Sequence, residues 1–454
     1  MKNKIIQELT GKKILILGFG REGKSTYKFI TENNVECTLG IADMNEIQDE
    51  DITKSNVKLH TGPNYLDALN EYDVIFKTPG ISFKDLDLTN IREKITSQTE
   101  MFLKYAKDKI IGITGTKGKS TTSSLIYGML NKKYNVLLVG NIGLPAFDEM
   151  NEYENIDYFV YELSSHQLEF VDYSPKIAVL LNMYEDHLDH YKGYEEYKEA
   201  KRNIYKYQSE NDFYIYGEEQ KEILNKGKVL NQIHIGVAKE ELTMDKCVYS
   251  ESLIQGNIQG KEFELEMPTN NELKATHNKY NIAVATTVAK ILGVDNQDIL
   301  KAVEEFKPLA HRLETIGIYN DVTYIDDSIA TIPEAVISAV ESIPNVDTVI
   351  IGGKDRGINY DSLIEFLSEN RVPNVILMYD SGKKIYENLT KKQITCNVVY
   401  AEDLEKAVIL ATKITKPGTI CLMSPAAASY GVFKNFEERG DKFKEYVIKY
   451  TEGK

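Results

Sequence analysis

The segment KKILILGFGREGKSTYKFI constrains the fold more than any other stretch of the chain. Its apolar run, Ile14 to Leu17, has strand length and no polar alternation, which suits a strand buried on both faces of a sheet. Gly18, Gly20 and Gly23 follow, and a helical pattern continues to Ile30. Strand, glycine turn and helix in that order open a βαβ unit and imply a parallel sheet. The GxGxxG spacing aims bare backbone amides and a helix N-terminus at a phosphate. Asp43 closes a second apolar stretch, TLGIAD, about 20 residues on, where a carboxylate can accept from a ribose hydroxyl. The alternative is a glycine turn that merely joins strand to helix. YDVIFKTPGI, Tyr72 to Ile81, adds a strand ending in a Pro-Gly turn at Gly80, on the edge where a ligand would pass.

The same order of elements recurs at DKIIGITGTKGKSTTSSLIYGML. A strand, Ile110 to Thr114, runs into a glycine loop, and Ser120 starts a helix. The usual phosphate loop has glycine five positions before its Gly-Lys-Ser/Thr. Here that position is Ile113, and the flanking glycines are Gly112 and Gly115. The chemistry survives the shift: loop amides hold phosphate oxygens, Lys119 reaches the terminal phosphates, and Ser120 or Thr121 offers a hydroxyl to Mg²⁺. Such a site needs acidic or imidazole help from the ends of neighbouring strands. YFVYELSSHQLEF supplies Glu162; KIAVLLNMYEDHLDHY ends a strand at Leu181 and follows it with Asn182, Glu185, Asp186, His187, Asp189 and His190. Lys198 and Lys201 lie on a charged helix and, taken alone, read as solvated surface. Residues 228–268 alternate like an appended β segment. In THNKYNIAVATTVAKILG, His277, Asn278 and Asn281 cluster at a helix start, with Asn278 suited to the N-cap as well as to a ligand. A third unit opens near EEFKPLAHRLETIG, where a strand leads to the polar turn Asp326-Asp327-Ser328 and a helix that Pro333 can start.

A length of 454 residues is too great for one core and suggests roughly three domains. The fold class is α/β, with domains expected at 1–105, 106–307 and 308–454. A net charge of -15 argues against nucleic acid as partner, since binding it depends on Lys and Arg. Local basic pockets for small anions stay open. Cys37, Cys247, Cys396 and Cys421 form no paired motif, which speaks against disulfides and zinc. The polar N-terminus and the lack of a long apolar run point to a cytoplasmic chain without membrane contact, and a monomer is expected.

In this order the motifs resemble the Mur ligases, the ATP-dependent amide-forming family of peptidoglycan synthesis. TGTKGKST is the family's own loop, and ELSSHQLE, NMYEDHLDHY, HNKYN, HRLE, DDSIAT and SPAAASYGVFKNFEERGDKF follow with family spacing over nearly the whole chain. LGFGREGKS, the short first domain and the final motif are most similar to members that add glutamate to UDP-N-acetylmuramoyl-L-alanine.

The resemblance implies a Rossmann-like UDP-binding domain, a central P-loop ATP domain with the appended β segment, and a Rossmann-like C-terminal domain. It implies Gly18, Arg21, Glu22 and Gly23 near the pyrophosphate, Asp43 near the uridine or ribose, and Gly80 and Asn141 toward the same substrate. Gly115, Thr116, Lys117, Gly118, Lys119, Ser120 and Thr121 would hold ATP, with Asn278 and Asn281 at adenine and ribose, Arg312 at the γ-phosphate and Asp327 at the ribose or linking phosphates. Two Mg²⁺ ions are implied, one on Ser120 and Glu162 and a second on His187, with Lys201 carried as a carbamate formed with CO2. Thr331, Arg356, Ser429 and Phe436 would receive glutamate. ATP would phosphorylate the alanyl carboxylate, and the glutamate amine would displace phosphate. Five positions depart from the family: Asp326 and Ile332 each stand in place of an asparagine, Ile329 and Arg356 each in place of a lysine, and His166 in place of a phenylalanine. D-glutamate is favoured because Thr331, Ser429 and Phe436 remain. An L-glutamate-adding branch and folylpolyglutamate-synthase-like ligases are the alternatives.

Overall fold

A computed structural model describes residues 1–47, 52, 57–142, 145–148, 150–185, 190–217, 232–239, 245–270, 273, 276–307, 310–331, 333–355, 359–429 and 431–451. The chain separates into two compact units, Met1–Lys307 and Pro308–Lys454. Three sheets organise it as three α/β domains, two of them in the first unit. Among the described residues no helix is long and apolar enough to cross a membrane.

The first sheet comprises β1 (Lys13–Leu17), β2 (Thr38–Asp43), β3 (Lys58–Thr61), β4 (Val74–Lys77) and β5 (Ile95–Thr96) in the order β3-β2-β1-β4-β5, all parallel. This is the doubly wound order, with its switch point beside β1, so the glycine turn after Leu17 opens at the crevice where such sheets take ligands. Gly18 has φ 89° and crosses the end of β4 so closely that a Cβ there would lie 2.1 Å from Thr78 Oγ1. No L side chain fits that crossing.

The second sheet holds β6 (Ile110–Thr114), β7 (Val136–Gly140), β8 (Tyr158–Glu162), β9 (Ile177–Leu180), β10 (Phe213–Gly217), β11 (Ile233–Ala238), β12 (Lys246–Tyr249), β13 (Leu253–Ile258) and β14 (Lys261–Glu266). Its order is β14-β13-β12-β11-β10-β9-β6-β8-β7. Every residue of β6 is buried, as an unbroken apolar run flanked by two parallel neighbours requires. The segment read as an appended β piece joins this same sheet: β11 pairs in parallel with β10 and β12 in parallel with β11, and the antiparallel pairings are those of β13 with β12 and β14 in a meander. Helices Lys119–Leu130 and Thr276–Ile291 cover one face, contributing Leu125, Met129, Ala283 and Val284 to the core.

The C-terminal unit carries β15 (Glu314–Tyr319), β16 (Val322–Asp326), β17 (Val346–Gly352), β18 (Asn374–Met378), β19 (Asn397–Ala401) and β20 (Ile420–Met423). They lie in the order β15-β16-β20-β17-β18-β19, parallel except for the edge strand β15. Helix Pro333–Ser342 begins at the proline, which fixes φ without sacrificing a needed amide.

Candidate functional site

Strand register brings the phosphate loop and its acidic neighbour to one edge of the second sheet. Ile113 of β6 pairs with Glu162 of β8, and Thr114 with Leu180 of β9. The loop 115–118 therefore leaves the sheet between the strand ends that carry Glu162 and Asn182. Gly118, at φ 84°, caps the helix Lys119–Leu130 and turns its amides outward; a Cβ there would lie 2.8 Å from Asn281 Oδ1. The helix starts one residue earlier than the sequence pattern suggests, at Lys119. Lys119 Nζ donates to the carbonyl oxygens of Gly115 (2.9 Å) and Thr116 (3.1 Å), so its charge is held over the loop. Ser120 is buried in the first turn, and Thr121 is next to it.

Two residues given no individual role in the sequence reading shape this loop. Asn182 Oδ1 accepts from the amides of Thr116 (3.0 Å) and Lys117 (2.8 Å), and its Nδ2 donates to Lys117 O (2.9 Å). Tyr197 Oη lies 2.7 Å from Thr116 Oγ1. Tyr197 stands four residues before Lys201 on helix Tyr194–Lys206, and that i,i+4 spacing is the signal that places both on one face. The same face points at the loop: Lys201 is 2% exposed, and its Nζ donates to Gly115 O at 2.9 Å. The solvated reading of Lys201 is thereby corrected. Its apolar neighbours and the loop enclose it, whereas Lys198 pairs with Glu195 on the outer side.

Glu162 is fully buried. Its Oε1 accepts from Asn141 Nδ2 at 2.7 Å, while Oε2 has no hydrogen-bond partner among the described residues. A buried carboxylate oxygen left open beside a phosphate loop fits the donor set of a hard cation, with Ser120 as the second oxygen. Asn141 thus sits at the end of β7 against Glu162, on the second sheet. His187 lies outside the described residues. Asn278 and Asn281 are buried and joined by a 3.1 Å hydrogen bond, and Asn281 faces Gly118. The N-cap reading of Asn278 does not hold, because the helix already runs from Thr276 and Asn278 occupies its first turn.

At the first sheet, Asp43 Oδ2 accepts from Phe19 N at 2.7 Å and Oδ1 from Asn45 N at 2.8 Å, so the carboxylate braces the glycine turn. Arg21 is exposed beside that turn and Gly80 is exposed at the end of the Pro-Gly turn. Glu22 points inward: Gln167 Nε2 donates to its Oε1 at 2.7 Å, and burial raises its pKa above the ordinary carboxylate value. Gly23 packs on Gly18 O, where a Cβ would lie 2.1 Å away.

In the C-terminal unit Asp327 accepts from Ser424 Oγ (2.8 Å) and Leu313 N (3.3 Å), and burial pushes its pKa up to about 7. Its neighbour Asp326 is fully buried against His311 Nδ1 at 2.7 Å. Arg312, next to His311, is exposed. Ser429 is buried, while Thr331 and Phe436 are half-buried; Phe436 O accepts from Ser328 Oγ at 2.8 Å. Arg356 lies outside the described residues. Arg439, fully buried, fixes this region by donating to Ser328 O (2.8 Å), Ser328 Oγ (3.0 Å) and Ala427 O (2.9 Å).

Comparison with known proteins agrees with this geometry. Residues 12–98 match the MurD-like N-terminal domain of Mur ligases, residues 113–289 the Mur ligase middle domain, and residues 311–427 the Mur ligase glutamate ligase domain. The UDP-N-acetylmuramoylalanine--D-glutamate ligase of Clostridium acetobutylicum is 34% identical over 98% of both chains, and that of Clostridium botulinum strain Langeland is 34% identical over 96% of both. Among solved structures, a UDP-N-acetylmuramate-alanine ligase (MurC) from Thermotoga maritima matches with a TM-score of 0.51 at 20% identity, over 98% of this chain and 100% of that one. A MurF ligase from Thermotoga maritima in complex with ADP matches with a TM-score of 0.51 at 17% identity, over 98% and 96%. At such identities the structures speak for the fold, and the curated relatives speak for the lineage. The chain belongs to the Mur ligase family.

Proposed function

We propose that this protein is the ATP-dependent ligase that joins D-glutamate to UDP-N-acetylmuramoyl-L-alanine, a cytoplasmic step of peptidoglycan precursor synthesis. The observation that carries the reading is end-to-end identity of 34% with ligases of that name. The enclosed constellation of Lys119, Glu162 and Lys201 about one phosphate loop supports it. Residues 1–105 serve the UDP-bearing substrate, 106–307 serve ATP, and 308–454 serve glutamate.

A carboxylate repels an amine and offers a poor leaving group; phosphorylation removes both obstacles. An oxygen of the alanyl carboxylate attacks the γ-phosphorus of ATP, the bond to the ADP oxygen breaks, and an acyl phosphate forms. The amine of glutamate then adds to the carbonyl carbon, loses a proton, and expels inorganic phosphate as the amide forms. The work of the protein in the first step is positioning and charge stabilisation. Loop amides braced by Asn182 fix the phosphate chain, and Lys119 follows the charge toward the terminal phosphate. Asn278 and Asn281 receive the nucleoside, with Arg312 and Asp327 serving the γ-phosphate and ribose. Ser120 and Glu162 would hold one Mg²⁺ and His187 with carbamylated Lys201 a second, and such ions would supply positive charge against the phosphates that otherwise repel the attacking oxygen. Thr331, Arg356, Ser429 and Phe436 receive glutamate.

The deciding experiment is mass spectrometry of product after incubation with UDP-N-acetylmuramoyl-L-alanine, ATP and Mg²⁺, with D- and L-glutamate supplied separately. Amide product with D-glutamate supports the reading, and no product with either enantiomer defeats it. Ile329 in place of a family lysine keeps L-glutamate as the second reading, which product with that enantiomer alone would establish.

A further inference from the structure

The motif ELSSHQLE contains more than Glu162. The chain leaves β8 at that residue and enters the short helix Ser165–Leu168, fixed at its start by a reciprocal cap between Ser164 and Gln167. Two side chains of this segment reach the first domain, one at the helix Arg21–Glu32 and one at β4. Gln167 Nε2 donates to Glu22 Oε1 at 2.7 Å, and Glu169 Oε2 accepts from Lys77 Nζ at 3.0 Å. Glu169 Oε2 also lies 3.1 Å from His190 Nε2. The side chains of Lys77, Glu169 and His190 are 3%, 13% and 8% exposed, and the Lys77 ammonium rests 5.5 and 5.3 Å from the ring centroids of Phe83 and Phe170.

Such a pair is a poor device for stability. Desolvating two charges costs several kcal/mol per ion, and an apolar pair of the same volume often does as well or better. Its value lies in fixing register, because a buried charge tolerates one partner geometry and penalises displacement. Both contacts land on the nucleotide-sugar side of the first sheet. Lys77 is the last residue of β4 and precedes Thr78, on which the Gly18 turn packs. Glu22 lies in the first helical turn after that glycine loop. At its other end the segment begins with Glu162, whose carbonyl accepts from Asn141 N and whose strand pairs with β6 directly before the phosphate loop. His190 adds a third tie, since Ser82 Oγ, five residues past Lys77, donates to His190 O at 2.9 Å.

We propose that Glu169 is a positioning residue that couples occupancy of the nucleotide-sugar turn to the geometry of Glu162 and the ATP loop. Lys77 is its partner at the sugar side, Gln167 adds a parallel tie from the same segment to Glu22, and His190 is its second partner. The inference rests on the functional reading above. Coupling of this kind is reciprocal: each ligand tightens the other by one common factor, typically about 5- to 150-fold.

The test is calorimetric titration of the full chain with Mg²⁺ and a non-hydrolysable ATP analogue, with and without saturating UDP-N-acetylmuramoyl-L-alanine. In the wild type the sugar nucleotide should tighten the analogue about 5-fold or more. In Glu169→Gln the factor should fall toward one while the affinity for the analogue alone changes less than about 2-fold, an outcome that lost folding would not give. The double variant Lys77→Met with Glu169→Leu keeps the volume and removes both charges, so it reports the same loss should the single variant be unstable. A wild type without coupling, or variants that keep the full factor, overturns the proposal. Failure of the sugar nucleotide to bind strikes instead at the functional reading.

Discussion

Lys201 Nζ stands 2.9 Å from the carbonyl oxygen of Gly115, at the mouth of the phosphate loop, on a side chain only 2% exposed. A lysine enclosed there is placed to act on the loop's ligands, and a carbamate on it would turn a donor into a bridging acceptor. Lys201→Ala is therefore expected to lower kcat by at least about 100-fold, the upper range for groups that support a metal site. Added small carboxylic acids should restore part of the loss by supplying the missing oxygens. Native mass spectrometry in bicarbonate should show the wild type, but not the variant, heavier by one CO2. Full activity of the variant without added acid would remove Lys201 from the machinery.

Gly118 offers a sharper test of the loop itself. At φ 84° an alanine is strained, and its Cβ would press on Asn281 Oδ1 at 2.8 Å. The left-handed conformation alone costs an L residue about 1–2 kcal/mol. Gly118→Ala should raise the KM for ATP by about 10-fold or more, since 1.4 kcal/mol is a factor of ten. The KM for the sugar nucleotide should move little. Unchanged ATP kinetics would show that the loop's backbone is not what holds the phosphates.

Most of this architecture is legible in local sequence because its signals are local. β6, an Ile-Ile-Gly-Ile run closed by Thr114, is bounded by pattern alone, as is TLGIAD at β2. Glycine turns announce the strand ends in the same way. The braces on the site are of another kind: Asn182 meets the loop from 65 residues away, and Gln167 meets Glu22 across 145. Periodicity within a window cannot record such contacts; they arise when parallel strands are laid side by side. The same cause explains why Asn278 is not the cap. Its polarity suits a cap, but the packing of helix Thr276–Ile291 on the sheet starts the helix earlier and uses the side chain against Asn281. The meander after residue 245 read as an appendage because its alternation is that of a half-exposed sheet, while its parallel pairing with β11, and through β11 with β10, is written nowhere in its own residues.

Asp327 gives an acid limb to the kinetics. Burial brings its pKa up to about 7, against the opposing hydrogen bond from Ser424. If the ionised carboxylate accepts from ATP, kcat/KM for ATP should fall about tenfold per pH unit below that value, as loss of one essential base requires. Asp327→Asn should show a lower, flat profile over the same range. An identical acid limb in the variant would assign the limb to another group.

Glu100 provides a stability readout in the first unit. It accepts from Asp172 N at 2.9 Å and faces Asp172, Arg92 and Lys104, and burial, reinforced by Asp172, raises its pKa from an ordinary 4.5 to about 7. A carboxyl whose folded value is raised binds its proton more tightly in the native state. Stability therefore falls as pH rises from the ordinary value to the folded one, and the whole cost is present above it. Glu100→Gln keeps the acceptor for Asp172 N and cannot ionise. The wild type should lose melting temperature between about pH 4.5 and pH 7 by more than the variant does, and the variant should be the more stable of the two at and above the upper end. Differential scanning calorimetry across that range decides it. Parallel curves for the two proteins would mean that Glu100 stays ionised in the fold and that the Arg92 and Lys104 charges outweigh its burial.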